Sequence, residues 1–352
     1  MGERERIRCR ERIEKLAEAD LEPEAARRAA IGELRRAVGF ERWCWPLTDP
    51  GSGLSTNGIA EFDLWPAIPR LAVLEEQEAG TNKPRLILGP RASAALSTAT
   101  GGDLSRSRRW RECLHPYGVG DELMTACRDR HGCWGSVELM RDTADRPFAQ
   151  DEASLLEDLA PVLGALLRRS LARSWQPGAA AAGVRSPGTL ILDGRVSPAG
   201  WTGSVRDWLD DLAPGGEMLP PAVYEIGARA LTPARAAHGL PARVRIRAQS
   251  GRWSVIEGAP LEGTSTRRVA ITIRAATADE VFDLLCKAHD LTPRERQLAA
   301  LLGTGRPTKA LAESLRISPY TVQDHLKAIF AKTGARSRGE VVSQLAGQTV
   351  ID

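Results

Sequence analysis

The chain has 352 residues, 42% hydrophobic and 26% charged, a length that predicts two or three domains and a composition that excludes a disordered, collagen-like or disulfide-scaffold protein. No run approaches the roughly 18 apolar residues of a membrane helix, since the most apolar stretch, 160–167, leads straight into Arg168 and Arg169. The formal charge of +3 is uneven: residues 291–352 hold nine Lys/Arg against five Asp/Glu, while 1–290 hold 39 against 40, which points to nucleic acid at the C-terminal end and nothing charged elsewhere. The opening MGERERIRCRERIEK lacks the apolar core of a signal peptide, and the six cysteines show no paired spacing. The sequence therefore reads as cytoplasmic, without a membrane partner and with reduced thiols.

Residues 1–23 predict a short charged helix over 3–19 with Ile7, Ile13 and Leu16 as sparse apolar positions. Pro23 then opens a second helix, 24–38, because proline is tolerated in a first helical turn and the following EAARRAAIGELRRAV is rich in helix formers. Glycine and proline punctuate 40–120 around short apolar runs such as RLILGP. Over 122–141 the runs ELMTAC and WGSVELM, separated by DRHG, predict a hairpin, and Leu155, Leu159, Val162 and Leu166 mark a helix over 148–171. The block 24–175 reads as a sheet flanked by helices.

A linker, QPGAAAAGVRSP, occupies 176–187. Residues 188–276 then predict four strands, in TLILD, RVRIRA, RWSVIEG and VAITIR, with helical stretches at 205–212 and 222–230, hence an antiparallel sheet with helices on one side. Thr277 and Glu280 carry the capping signature of a helix over 277–290, whose apolar stripe is Val281, Leu284, Leu285 and Ala288. It runs directly into the basic end.

Residues 291–352 predict an all-α domain of four short helices. Thr292, Pro293 and Glu295 open the first and Gly303 and Gly305 stop it; the second spans 307–315; Ser318 and Pro319 open the third and Gly334 ends it; Ser337 and Glu340 open the fourth. Projected at about 100° per residue, the third helix sets Val322, Leu326 and Ile329 on one face and Tyr320, Asp324, Lys327 and Ala331 opposite. Such a helix, presenting Gln323, Asp324 and Lys327, has the dimensions to enter a DNA major groove; an ordinary helical bundle with a solvated face would show the same pattern.

The motifs LTPRE, ISPYTVQDHLKAIFAK and GARSR, within about 55 residues, closely resemble the helix-turn-helix module of LuxR/FixJ-type bacterial transcription regulators. The resemblance implies that Gln323, Asp324 and Lys327 face bases, that Lys309, Ser318, Thr321, Lys332 and Arg336 lie near phosphates, and that Val341, Val342 and Leu345 pair with a second copy in a homodimer on double-stranded DNA. RNA polymerase is the further partner it implies. Many members carry lysine where this chain has Gln323 and an apolar residue where it has Asp324, so base preference does not transfer. Upstream, 24–172 resembles a GAF sensory domain and 188–275 a PAS-like domain. The expected fold is multidomain α+β: GAF-like and PAS-like α/β sensory domains followed by an all-α four-helix helix-turn-helix domain.

Trp43, Trp45, Trp65 and Trp134 fall in the first block and supply apolar area with indole donors, as a pocket for a small apolar or aromatic effector requires, or as a packed core does. Cys127, His131 and Cys133 surround one hairpin and raise thiol or metal sensing, although C-x₅-C fits no usual zinc pattern. The run Arg106, Arg108, Arg109 and Arg111 reads as a solvated loop face. No nucleotide, metalloprotease or hydrolase motif occurs, so neither a cofactor nor an enzyme is expected. The function expected is a homodimeric DNA-binding regulator controlled by a small molecule, with protein-partner binding or thiol/metal sensing as the alternatives.

Overall fold

The computed structural model describes residues 3–62, 64–78, 83–174, 185–213, 218–232, 239–263 and 265–346; all of the expected linker except 185–187 lies outside them. Helices α1 (Glu3–Glu18) and α2 (Pro23–Val38) open the chain. In α2 the residues Ala26, Ala30, Ile31, Leu34 and Val38 recur at helical spacing and are buried, which is the face that packs. The charged α1 does not stand apart. Ile13 and Cys9 are buried and Arg6 pairs with Asp158 at 2.8 Å, while Ile7 is half exposed.

The first sheet joins β1 (Arg42–Thr48), β2 (Ser55–Ala60), β3 (Ser93–Ala95), β4 (Val119–Asp129) and β5 (Gly132–Asp142) in the order β2-β1-β5-β4-β3, every pair antiparallel. The expected hairpin is present but longer, closing on Arg130 and His131 alone. Its strands are buried almost continuously instead of alternating, because helices cover both faces of the sheet. The first two helices and α6 (Gln150–Ser174) lie on one side; α3 (Ile68–Gln77), α4 (Lys83–Leu88) and α5 (Leu96–Ala99) lie on the other. At Gly164 of α6 a Cβ would stand 2.8 Å from the backbone of Arg128, so glycine is what lets this helix cross β4 so closely.

The second face of that sheet buries charge. Arg109 is 1% exposed, donating to both carboxylate oxygens of Glu122 and standing 3.3 Å from Glu75. The basic run is therefore not one solvated face: Arg106, Arg108 and Arg111 are exposed and Arg109 points inward to carboxylates that arrive from α3 and β4.

The second sheet contains β6 (Gly188–Asp193), β7 (Pro198–Trp201), β8 (Arg243–Arg247), β9 (Trp253–Pro260) and β10 (Arg268–Ala275), ordered β7-β6-β10-β9-β8, the same serial order as the first. Four of these strands match the sequence expectation. The fifth, β7, is an exposed edge beginning with proline, so it carries no alternating pattern to read. Helices α7 (Val205–Leu212) and α8 (Pro221–Leu231) follow β7. The latter sets Val223 and Ile226 in the second core, which also takes in Leu54 and Ala72 of the first module.

Buried ion pairs fasten the modules. Arg229 binds Glu76 at 2.7 Å and donates to Ser52 O at 2.7 Å; Arg245 is bidentate on Asp49 at 2.7 and 2.8 Å; Glu225 accepts from the amide and hydroxyl of Ser55 at 2.8 and 2.7 Å.

Removing one member of a buried pair strands the other charge. Arg109→Met should destabilise the fold by about 3–5 kcal/mol, read as a lower urea midpoint at pH 7, whereas the exposed Arg111→Met should change it by less than about 0.5 kcal/mol.

Candidate nucleic-acid interface

Helix α9 (Ala278–Ala288) leads into α10 (Pro293–Leu302), α11 (Thr308–Leu315), α12 (Pro319–Thr333) and α13 (Arg338–Ala346). Local chemistry sets these boundaries as the sequence predicted. Thr277 with Glu280 and Thr292 with Glu295 form reciprocal capping boxes, Ser318 Oγ accepts from the Thr321 amide, and Gly334 ends α12 in the left-handed region at φ 74°. Before α13 the box is only half made: Ser337 Oγ accepts from the Glu340 amide at 3.1 Å, but the Glu340 carboxylate reaches back to the amide of Arg336. The turn from α11 into α12 contains Arg316 at φ 53°, a strained choice for a residue with a side chain. The sequence reading did not single it out, because no glycine marks the position.

Helix α12 divides as its periodicity predicts. Val322, Leu326 and Ile329 are buried against α10 and α11. Gln323, Asp324 and Lys327 are exposed, with Asp324 and Lys327 3.6 Å apart and both largely in solvent, and Tyr320 is 80% exposed at the start of the helix. Lys309, Ser318 and Arg336 are also exposed, with Thr321 intermediate. The Thr321 hydroxyl lies 2.9 Å from Ser318 Oγ.

Lys332, expected near a phosphate, meets groups of its own domain. Its ammonium donates to Glu295 at 2.6 Å and to Asp290 O at 3.0 Å, so the charge is used inside the domain. Val341 and Leu345, expected at a dimer seam, are 0% and 2% exposed. They lie in the core shared with α9 and α10, leaving only Val342 partly accessible. Leu155, Leu159 and Leu166 of α6 and the stripe Val281, Leu284, Leu285 are likewise buried within the chain.

The tryptophans do not form one pocket. Trp43 and Trp45 are fully buried between the first sheet and its helices. Trp65 is 45% exposed in a short turn on the opposite side, and Trp134 donates to Asp129 at 2.9 Å. The six cysteines are free thiols. Burial pushes the Cys127 thiol well above its ordinary value and raises Cys133 as well, which removes the thiolate that redox or metal chemistry needs. No group of three potential ligands able to hold a metal occurs among the described residues, and His131 is engaged elsewhere.

That engagement lies at the joint between α9 and α10. Asp290, at φ 58°, accepts from Arg130 and His131 at the tip of the first module's hairpin. Arg168 of α6 bridges Asp129 at 2.8 Å and Ala288 O at 2.9 Å, closing the C-terminal end of α9. At the other end, Arg243 and Arg274 of the second sheet hold Glu280. The Arg274 guanidinium, against the smaller opposing effect of burial, keeps the Glu280 carboxyl down at about 2. Between them Asp283 takes Arg245 from the second module at 3.3 Å and Arg296 from α10 at 2.6 Å. Helix α9 is thus held by both N-terminal modules and by the C-terminal helices.

Short helices packed around α12, with its polar face bare and a three-residue turn from α11, define a helix-turn-helix domain. Residues 289–345 match the family model described as bacterial regulatory proteins, luxR family. An HTH-type transcriptional regulator of Mycobacterium bovis is 43% identical over 56 residues, 16% of this chain and 6% of the relative. The transcriptional regulatory protein FixJ of Rhizobium meliloti is 37% identical over 73 residues, 20% and 36% of the two chains. The monoamine regulon transcriptional regulator of Klebsiella aerogenes is 43% identical over 54 residues, 15% and 24% of the two. The chain therefore spans well under half of these relatives, and the likeness is confined to its C-terminal part. Among the described residues no helix is long and apolar enough to cross a membrane.

Glu295 is the residue on which this domain's geometry turns, since one carboxylate caps α10 and holds Lys332 of α12. Glu295→Ala should cost about 2–3 kcal/mol, combining a lost cap with a charged hydrogen bond. Burial alone would raise its carboxyl, but Lys332 and Thr292 hold it below the usual range. The contribution is then present above the ordinary carboxylate pKa and is lost as pH falls through the lowered folded value. Urea titrations of both proteins between pH 3 and 7 should therefore converge at the acid end.

Proposed function

We propose that the chain is a homodimeric, sequence-specific DNA-binding transcription regulator in which the two N-terminal modules sense a small molecule and the helix-turn-helix domain reads duplex DNA. The observation that carries this reading is the bare face of α12, where Gln323, Asp324 and Lys327 are exposed, as are Lys309 and Arg336 elsewhere in the domain, on a domain matching the luxR family. Gln323 and Asp324 offer hydrogen bonds to base edges, Lys327 serves a base, and Lys309, Ser318, Thr321 and Arg336 serve phosphates. The two five-stranded sheets with their own helices support the GAF-like and PAS-like reading of the sensory block. RNA polymerase is the partner such a regulator would contact. A two-fold dimer follows from the small footprint of one recognition helix; Val342 and the exposed surfaces outside the buried seams are left to form it.

The 352-residue chain should bind a site selected from random duplexes, with affinity falling steeply as salt rises. Lys327→Ala should cost about 1–3 kcal/mol at that site and less on random sequence, whereas Arg336→Ala should weaken both alike and reduce the salt slope by about 1. Sedimentation should give a dimer on the DNA. Absence of salt-dependent binding to any duplex would refute the reading.

A further inference from the structure

Among the described residues that carry a Cβ, Val196, Asp290 and Arg316 have a positive φ. In the first two the side chain is engaged within the fold: Val196 is buried in the second core, and the Asp290 carboxylate takes Arg130 and His131. Arg316 caps the C-terminus of α11 at φ 53° and ψ 47°. Hydrogen bonding dictates this left-handed turn. The amide of Arg316 closes on the carbonyls of Ala312 and Glu313, and that of Ile317 on Ala312 O at 3.0 Å, which satisfies groups the helix end leaves open. Glycine or asparagine meets such a demand at least cost, as Gly334 does at the end of α12. What arginine adds at this position is its side chain.

Within the chain that side chain meets nothing charged or polar. Neighbouring arginines use theirs: Arg294 donates to Gln297 and Leu315 O, Arg296 pairs with Asp283, Arg306 donates to Ser314 at 3.3 Å and Arg338 to Thr308 at 2.7 Å. Arg316 is exposed, and its guanidinium has no hydrogen bond or ion pair among the described residues. A solvated arginine on a helix face needs no explanation, but here it occupies strained backbone with no compensating contact inside the fold. It stands two positions before Ser318, the cap of α12, and Ser318, Pro319 and Tyr320 are all exposed. In a helix-turn-helix the second helix enters the groove and the first crosses the backbone, so a side chain from the turn between them meets phosphate before base edges. A guanidinium has the charge and the forked donors that phosphate oxygens take.

We propose that Arg316 is a phosphate contact of the DNA-binding surface, additional to Lys309, Ser318, Thr321 and Arg336, and that the turn after α11 holds a destabilising residue because of that contact. The proposal rests on the DNA-binding reading above and extends it to a residue outside the motifs LTPRE, ISPYTVQDHLKAIFAK and GARSR.

Two variants of the 352-residue chain separate the side chain from the backbone. Arg316→Gly relieves the turn and removes the charge, whereas Arg316→Gln keeps a Cβ in the left-handed turn and removes the charge alone. Affinity for the site selected from random duplexes, and for a random duplex, is measured against salt concentration. Both variants should bind both duplexes about threefold to tenfold more weakly, with the salt slope reduced by about 1. The urea midpoint should rise in Arg316→Gly and stay at the parent's value in Arg316→Gln. A chain that becomes more stable and binds DNA less well is the signature of a side chain that serves a partner. Affinity and slope equal to the parent's in both variants, or a loss confined to the selected site, would overturn the phosphate contact. So would a lower midpoint in Arg316→Gly, which would place the role of the side chain inside the fold. A parent chain that binds no duplex overturns the DNA-binding reading together with this proposal, whereas a parent that binds and variants that match it overturn the proposal alone.

Discussion

A single residue, Asp290, joins the helix-turn-helix domain to everything before it, and it is held from both sides. Its carboxylate takes Arg130 and His131 of the first module's hairpin, and its carbonyl takes Lys332 of α12. A positive φ is uncommon at a residue with a Cβ, though aspartate accepts it more readily than most, and favourable surroundings offset its cost. Here the compensation comes from groups that belong to different domains. The direction in which α10 leaves α9 is thereby tied to contacts with the first module and with α12.

The same logic extends along α9. Its N-terminal turn is held by arginines of the second sheet through Glu280, its middle by Arg245 and Arg296 through Asp283, and its end by Arg168 of α6. Exposed ion pairs contribute little individually. These are partly buried and share partners, so they act as alternatives for one another: a shift of the second sheet that draws Arg245 from Asp283 also changes what Arg296 meets. The apolar stripe Val281, Leu284, Leu285 is buried on the same helix, and its middle residue lines a cavity between the two N-terminal modules.

Much of this was legible in the sequence wherever short-range chemistry decides the outcome. Threonine or serine caps with glutamate three residues later, prolines in first turns and Gly334 placed α9, α10 and α12 correctly, and the helical period separated Val322, Leu326 and Ile329 from Gln323, Asp324 and Lys327. What the sequence hid depends on distant partners. Arg109 looks like its neighbours Arg108 and Arg111 until Glu75 and Glu122 arrive from α3 and β4. The pairing of Lys332 with Glu295 joins residues 37 apart and has no local signal. Val341 and Leu345 have the pattern of a seam, and only packing shows that α9 and α10 already cover them. Trp45 and Trp65 lie close in sequence but on different sides of a sheet, which no periodicity reveals. Strand β7 escaped because an exposed edge needs no alternation.

The central claim is that the helix-turn-helix domain is fixed on the two N-terminal modules and not tethered by a free linker. Electron-electron distance measurement tests it directly, with spin labels carried by non-natural amino acids at Asp158 on α6 and Ala331 on α12, both exposed, and with labelled chain diluted in unlabelled chain. The account predicts one narrow distance distribution in the parent protein and a broadened one in Asp290→Ala. A broad distribution in the parent, unchanged by that substitution, would contradict it.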